Sequence, residues 1–395
     1  MEKNRPDRLR SSVALWRDER FLRLTGQAVF LLILAAMLTY LTRNMLANLR
    51  QQGMGLGFDF LRLTAGFDIG EHIISYDRNQ SFLRAFSVGL LNTALVSGLG
   101  IFFATVLGLI FGVARLSSNF LIQRLARAYI EFLRNIPLLV LLIFWYTGVF
   151  IKLPRVKDAL ILPGQVLLSN RGVAIPWGIP TEAFPLYIRV LVLGAIIAVV
   201  TGISLVWYGR RSGRSPTPVL WSLLIFLAAA IVGWMALPMP PLSVDVPALQ
   251  GLRLAGGKQL SPEFMALLSG LAIYTSAFIA DVVRTGIQAV ARGQVEAAKS
   301  LGLSGIQTLR LIVFPQALRV MVPPLTSQYL NLTKNSSLAV AIGYPELFHV
   351  SGTILNQSGR AIEMITLVMA TYLMISLLTS AFMNWYNHRV RLVER

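Results

Sequence analysis

Charged and amide side chains inside apolar stretches are where this sequence could do chemistry. Asp281 and Arg284 stand three apart, so on a helix they share a face and partly neutralise one another. That spacing reads as a structural ion pair or as a gate element, the second because charges within apolar segments usually serve function. Lys334-Asn335-Ser336-Ser337 sets an ammonium beside an amide and two hydroxyls, a group suited to receiving a carboxylate. Its alternatives are a lysine that snorkels to the edge of the apolar layer or one that pairs with Glu363. All of this is recognition of charge and not bond-making. The sequence contains no nucleophile elbow or HExxH helix, and scattered Ser and Thr in apolar spans are more often packing residues than nucleophiles.

Metal and nucleotide chemistry are not expected in the chain. His72, His349 and His388 are scattered without the paired spacing of a zinc site, and with no cysteine there is neither a disulfide nor a thiolate ligand. Gly251-Leu252-Arg253-Leu254-Ala255-Gly256-Gly257-Lys258-Gln259 invites comparison with a phosphate loop. Its lysine is one residue out of place, and Gln259 stands where a magnesium-binding Ser or Thr belongs.

A second kind of signal is polar and local. The run Glu296-Ala297-Ala298-Lys299-Ser300-Leu301-Gly302 holds good helix formers, and Gly302 supplies the left-handed residue that commonly ends a helix. Ser304 and Gln307 have capping-box spacing, and Ile306, Leu309, Ile312 and Val313 recur at helical intervals. Pro315 is expected to force Phe314 out of helical geometry and so close the second helix. The expectation is an exposed helix-turn-helix knob between hydrophobic spans.

The elements that must position these residues are set by composition. Apolar residues make up 55% of the 395, charged residues 14%, and mean hydropathy is +0.63, which places the chain in the membrane. A hydrocarbon core of about 30 Å needs about 20 helical residues. Eight stretches qualify: 24–46, 87–114, 129–151, 186–208, 218–238, 264–288, 319–342 and 362–386. Thr25 to Leu46 lacks a clear cleavage site after it and reads as a retained anchor. The seventh stretch is polar for a span and is expected to be broken at Pro323-Pro324, lining a cavity where freed backbone groups find partners.

A net charge of +18 could suggest a nucleic-acid partner, but its distribution marks one membrane face. With both termini inside, segments 1–24, 115–134, 209–217, 284–319 and 387–395 hold 22 of the 36 Lys and Arg against seven acids, while the intervening loops are nearly balanced. No basic soluble domain remains for nucleic acid. The expected organisation is a tail, first span and external loop over 1–86, a transmembrane domain over 87–386, and a cytoplasmic tail over 387–395. Within the domain, a core of 87–151 and 264–386 is interrupted by a two-span insert, 152–263, which leaves the orientation of the later spans unchanged.

The pattern Glu296-Ala297-Ala298, three residues, Gly302, nine residues, Ile312, one residue, an apolar position and Pro315 resembles the EAA motif of permease subunits of ATP-binding-cassette importers. The stretches EFLRNIPLLV from Glu131, YTSAFIADVVRTGIQAVARGQVEAA from Tyr274 and LTKNSSLAVAIGYPEL from Leu332 are similar to the polar amino acid uptake branch of that family. The resemblance implies an all-α, polytopic bacterial inner-membrane protein with a type I importer core. It further implies a general L-amino-acid or glutamate, glutamine and aspartate system. Two copies of an ATPase subunit, which bind ATP and magnesium, would dock on the Glu296 to Pro315 loop. A second, related permease chain would complete the pathway, and a periplasmic binding protein would deliver a polar L-amino acid. An ion-coupled secondary amino acid transporter is the alternative; it would share broken helices but need no docking knob.

Overall fold

The computed structural model describes residues 19–51, 57–212, 217–251 and 253–390; of the expected tails over 1–24 and 387–395, residues 1–18 and 391–395 lie outside them. Residues up to Leu61 and those from Arg62 onward form two units. The first holds helix α1, Glu19–Gln51, and a 3-10 turn at Asp59–Arg62 leads into the second. Among the described residues six helices are long and apolar enough to cross a membrane, and they fall on the expected first, second, fourth, fifth, sixth and eighth spans. Counting two bent helix pairs as spans gives up to eight.

In the second unit α2, Phe82–Ala114, packs along α7, Pro262–Gln288, because glycines on α2 let the two backbones approach. A Cβ on Gly112 would lie 2.7 Å from the Val283 Cβ and 2.8 Å from the Ala280 carbonyl. Val96, Ala104, Leu267, Leu271, Ile279 and Val283 are buried in the same core. Gly112→Leu is therefore expected to lower thermal stability by about 2 kcal/mol through overpacking. Gly98→Leu, where nothing lies within 4 Å, should leave the melting temperature in detergent unchanged.

The third expected span is not one helix. Asn119 caps α3, Phe120–Arg134, by accepting from the Leu121 and Ile122 amides; α4, Leu138–Ile143, begins after Pro137 and continues as a π-helix, Phe144–Phe150. The two halves meet at 104°. Pro137 accounts for the corner, since it excludes helical geometry at Ile136 and removes an amide donor. The stretch 129–151 thus straddles a bend, and its basic lead-in is an amphipathic helix and not a simple loop.

Next come four short strands, β1 (Leu160–Leu162), β2 (Val166–Ser169), β3 (Gly172–Ile175) and β4 (Trp177–Pro180), then spans α5 (Phe184–Ser212) and α6 (Pro218–Ala236). Strands β5 (Leu242–Asp245), β6 (Ala248–Gln250), β7 (Arg253–Ala255) and β8 (Lys258–Leu260) lead into α7. Antiparallel pairing joins β1-β2-β3-β8, β4-β5 and β6-β7, so the segments flanking α5 and α6 are zipped to one another just before α7 begins. The fold is helical in every spanning element, and the strands are confined to the connections. The suspected phosphate loop proves to be the β6-β7 hairpin running into β8, with no helix starting on its glycines.

After α7 come α8, Arg292–Ser300, and α9, Gly305–Thr308. A π-helix, Leu309–Val313, then joins α9 to α10, Phe314–Asn335. Two expectations fail here. Phe314 is helical (φ −62°, ψ −44°), because the π-turn Leu309–Val313 delivers the chain to Pro315 already in helical geometry. Nor does Pro323-Pro324 break the helix: α10 runs through both, held by buried Met321, Val322 and Leu325 on its packed side. The interruption comes later, where a 3-10 turn, Ser336–Ile342, ends at left-handed Gly343 before α11, Leu347–Ser358, and α12, Ala361–Val390.

Candidate coupling and translocation site

The Glu296 loop is built by local capping. Left-handed Gly302 (φ +76°) ends α8 with Gly302 N–H donating to the Lys299 carbonyl at 2.9 Å and Leu303 N–H to the Ala298 carbonyl at 3.2 Å, the two bonds of a Schellman cap. Ser304 and Gln307 then close a reciprocal capping box on α9. Ala298 and Val313 are buried and anchor the loop from within. Glu296, Ala297 and Gly302 face outward, Ile312 and Pro315 are half-buried, and Leu301 and Ile306 are each 81% exposed. Two large apolar side chains held that far from their own fold are what a partner surface would cover.

Beyond Pro315 the same helix carries a polar stripe. Ser327, Asn331 and Lys334, spaced four and three apart, are exposed on one face of α10, with Gln328 half-buried beside them. Asn335 is half-buried; Ser336 is fully buried and its hydroxyl donates to the Thr333 carbonyl at 2.7 Å; Ser337 donates to the Lys334 carbonyl at 2.8 Å. The hydroxyls of this group therefore serve the 3-10 turn, and the open chemistry belongs to Lys334 and Asn335. Glu363 is occupied by Arg360 at 3.4 Å, and among the described residues Lys334 makes no ion pair. Such a stripe is costly against lipid, since a lysine at mid-span alone costs about 2.5–3.5 kcal/mol on the insertion scale.

Asp281 is more heavily engaged than its spacing suggested. Arg284 meets it at 3.1 Å, as expected, but Arg134 also reaches it at 3.0 Å and Arg115 at 3.5 Å. One carboxylate thereby ties the ends of α2, α3 and α7 together. On the opposite side, in the loop before α2, burial pushes the Glu71 carboxyl above its ordinary range, and the Ser261 hydroxyl at the start of α7 donates to it. His72, His349 and His388 remain apart, and no group of three or more metal-ligating side chains occurs among the described residues.

A family model described as binding-protein-dependent transport system inner membrane component matches residues 215–392, which include α7, the Glu296 loop and α10. Over nearly the whole length the chain is 42% identical to the general L-amino acid transport system permease protein AapQ of Rhizobium johnstonii, covering 96% of this chain and 94% of that one. It is 46% identical to the putative amino-acid ABC transporter permease protein YhdX of Escherichia coli, covering 90% and 91%. With the glutamate/glutamine/aspartate/asparagine transport system permease protein BztB of Rhodobacter capsulatus it shares 40%, covering 96% of each. The chain belongs to this family of importer permeases. Its helical architecture is accordingly the type I permease fold, and as a family member it is a multi-span inner-membrane transport subunit.

For this permease, sequence reasoning missed Arg115 and Arg134. They lie 166 and 147 residues from Asp281, and only the packing of α2 and α3 on α7 brings them together. A basic residue at each of two helix ends was the only available signal. Ser327 and Asn331 were visible as polar residues, but their common face with Lys334 depends on α10 staying helical through its prolines.

Proposed function

We propose that this permease is the translocating subunit of an importer for polar L-amino acids, of the general or the glutamate, glutamine and aspartate kind. The observation that carries the reading is the exposed stripe of Ser327, Asn331 and Lys334 on a helix continuous with the exposed, capped Glu296 loop. A carboxylate-bearing solute finds an ammonium and amides on that stripe, and its charge is then not left bare in the membrane. In this reading a periplasmic binding protein delivers the solute, and a second, related permease faces the stripe across the path. Two ATPase subunits seat on Leu301 and Ile306 and hold the ATP and magnesium, so this chain needs no ATPase site or cofactor of its own. ATP turnover moves the pair between outward- and inward-open states, which requires the partners to bind the two states unequally. Residues 87–151 and 264–386 form the core, and 152–263 is an insert upon it. The relatives give no support to an ion-coupled secondary carrier.

The test is purification of the tagged permease with its partners and reconstitution with the binding protein. Polar L-amino acids should stimulate ATP hydrolysis and uptake together; uptake driven by an ion gradient without ATP would overturn the reading. Orientation is checked separately, because the chain has no cysteine. Single cysteines at Ser75 and Ser243 should react with an impermeant thiol reagent on intact spheroplasts, and one at Ser304 only after permeabilisation. Ser169, outward by the charge pattern, is buried in β2 and makes a poor reporter. Labelling of Ser304 in intact cells would reverse the topology.

A further inference from the structure

The amphipathic helix α3 presents two faces that lie outside the Glu296 loop and the α10 stripe. Its apolar side chains Phe120, Leu121, Leu125 and Phe132 are 62–69% exposed, and the 104° corner after Arg134 turns the helix away from α4. An apolar face of this size beside a basic one is the pattern of a helix lying in the membrane interface. On the basic side a cavity of about 500 Å³ opens between the ends of α2, α3 and α7, lined by Arg115, Arg124, Arg127 and Arg284 with Gln123 and Gln288.

The charges around this cavity do not cancel. Asp281 is shared by Arg115, Arg134 and Arg284, and Glu131 takes Arg127 at 2.7 Å. The Arg124 guanidinium instead sits 5.2 Å from the centre of the Phe120 ring. Five arginines face two carboxylates. The excess is positive, and guanidinium forks with amide donors match the oxygens of a phosphate.

We infer that this cavity binds the phosphate headgroup of an anionic phospholipid whose acyl chains lie along the apolar face of α3. Phe120 carries the argument for a lipid over a protein: it lines the basic cavity, is 69% exposed, and is followed directly by Leu121 of the exposed apolar face, so one ligand with a phosphate directly joined to hydrocarbon can reach from the one to the other. Basic pockets at the cytoplasmic ends of helices take anionic lipids by this arrangement. The inference needs only that α3 lies at the headgroup layer, so it can fail or hold independently of which solute is carried.

The test uses the intact permease complex in nanodiscs of phosphatidylcholine doped with phosphatidylglycerol. Lipid retained through a delipidating wash is quantified by mass spectrometry. Wild type should retain phosphatidylglycerol selectively, and Arg124→Gln/Arg127→Gln should reduce that retention about 30-fold, at about 5-fold per lost arginine. Arg389→Gln, a basic residue at the end of α12, should retain it as wild type does. If the double variant does not give a monodisperse complex, Arg124→Gln alone, which gives up a ring contact and no ion pair, serves in its place with an expected loss of about 5-fold. Equal retention by wild type and the pocket variant would overturn the proposal, as would an equal loss in Arg389→Gln. Displacement of the lipid by millimolar inorganic phosphate would assign the site to a free anion, and crosslinking of Arg124→Cys to the ATPase with no lipid retained would assign it to the partner subunit; either result rejects a lipid site.

Discussion

Gly302→Pro is expected to abolish coupled uptake while the permease still inserts and folds. A side chain at this position meets nothing within 4 Å, so the damage is to the backbone and stays local. Proline cannot adopt the left-handed φ of +76°, and it removes the amide that donates to Lys299. The Schellman cap is lost, α8 no longer stops after Ser300, and Leu301 and Ile306 are no longer held in their present places. If these two side chains are the anchors of the ATPase contact, loss of even one is worth about 2 kcal/mol or more, hence a contact weaker by about 30-fold or more. Glu296→Arg should act at the same surface by reversing a charge on the exposed face of α8. Substrate-stimulated ATP hydrolysis and ATPase co-purification are the measurements; wild-type values with either variant would remove the loop from the coupling pathway.

Lys334→Met should depress transport per molecule far more than it depresses the amount of permease. Methionine keeps most of the length of the side chain and removes the ammonium with its charge and donors, in a position where the lysine has no carboxylate partner among the described residues. Loss of a charge-assisted contact to a substrate carboxylate corresponds to about 1.5–3 kcal/mol, roughly a 10- to 100-fold fall in uptake at limiting substrate. Substitutions at half-buried Asn335 should alter which amino acids compete for uptake. Ser336→Ala should instead lower stability without changing preference, because that hydroxyl is spent on the Thr333 carbonyl. If Lys334→Met lowers only abundance, with transport per molecule and preference intact, the stripe is structural and the path lies elsewhere.

Features fixed by a few neighbouring residues were legible in the sequence. Gly302 as a helix end and Ser304 with Gln307 as a capping box needed no tertiary information, and both are present in the structure. The long apolar helices were legible for a similar reason, since each satisfies its own backbone bonds in lipid. Proline was read too locally. At Pro315 the preceding π-turn delivers the chain already helical, and at Pro323-Pro324 the packing of Met321, Val322 and Leu325 outweighs two missing donors. The 104° corner was misjudged in the opposite direction, with a span drawn straight through Pro137. The Asp281 cluster was out of reach, because no rule of spacing joins a carboxylate to arginines more than a hundred residues away.

The unbroken path from α9 through the π-turn into α10 has a mechanical meaning. Gly286 of α7 lacks a side chain where Met321 of α10 is seated against it, a contact about which the rod would turn if it moved as one body. The arm from Gly305 to Met321 is about 24 Å and that from Met321 to Lys334 about 20 Å, at about 1.5 Å per residue. With arms so nearly equal, a pivot of about 10° there would swing both ends by about 3–4 Å in opposite directions, and a displacement of the capped loop would then reach the lysine almost undiminished and reversed.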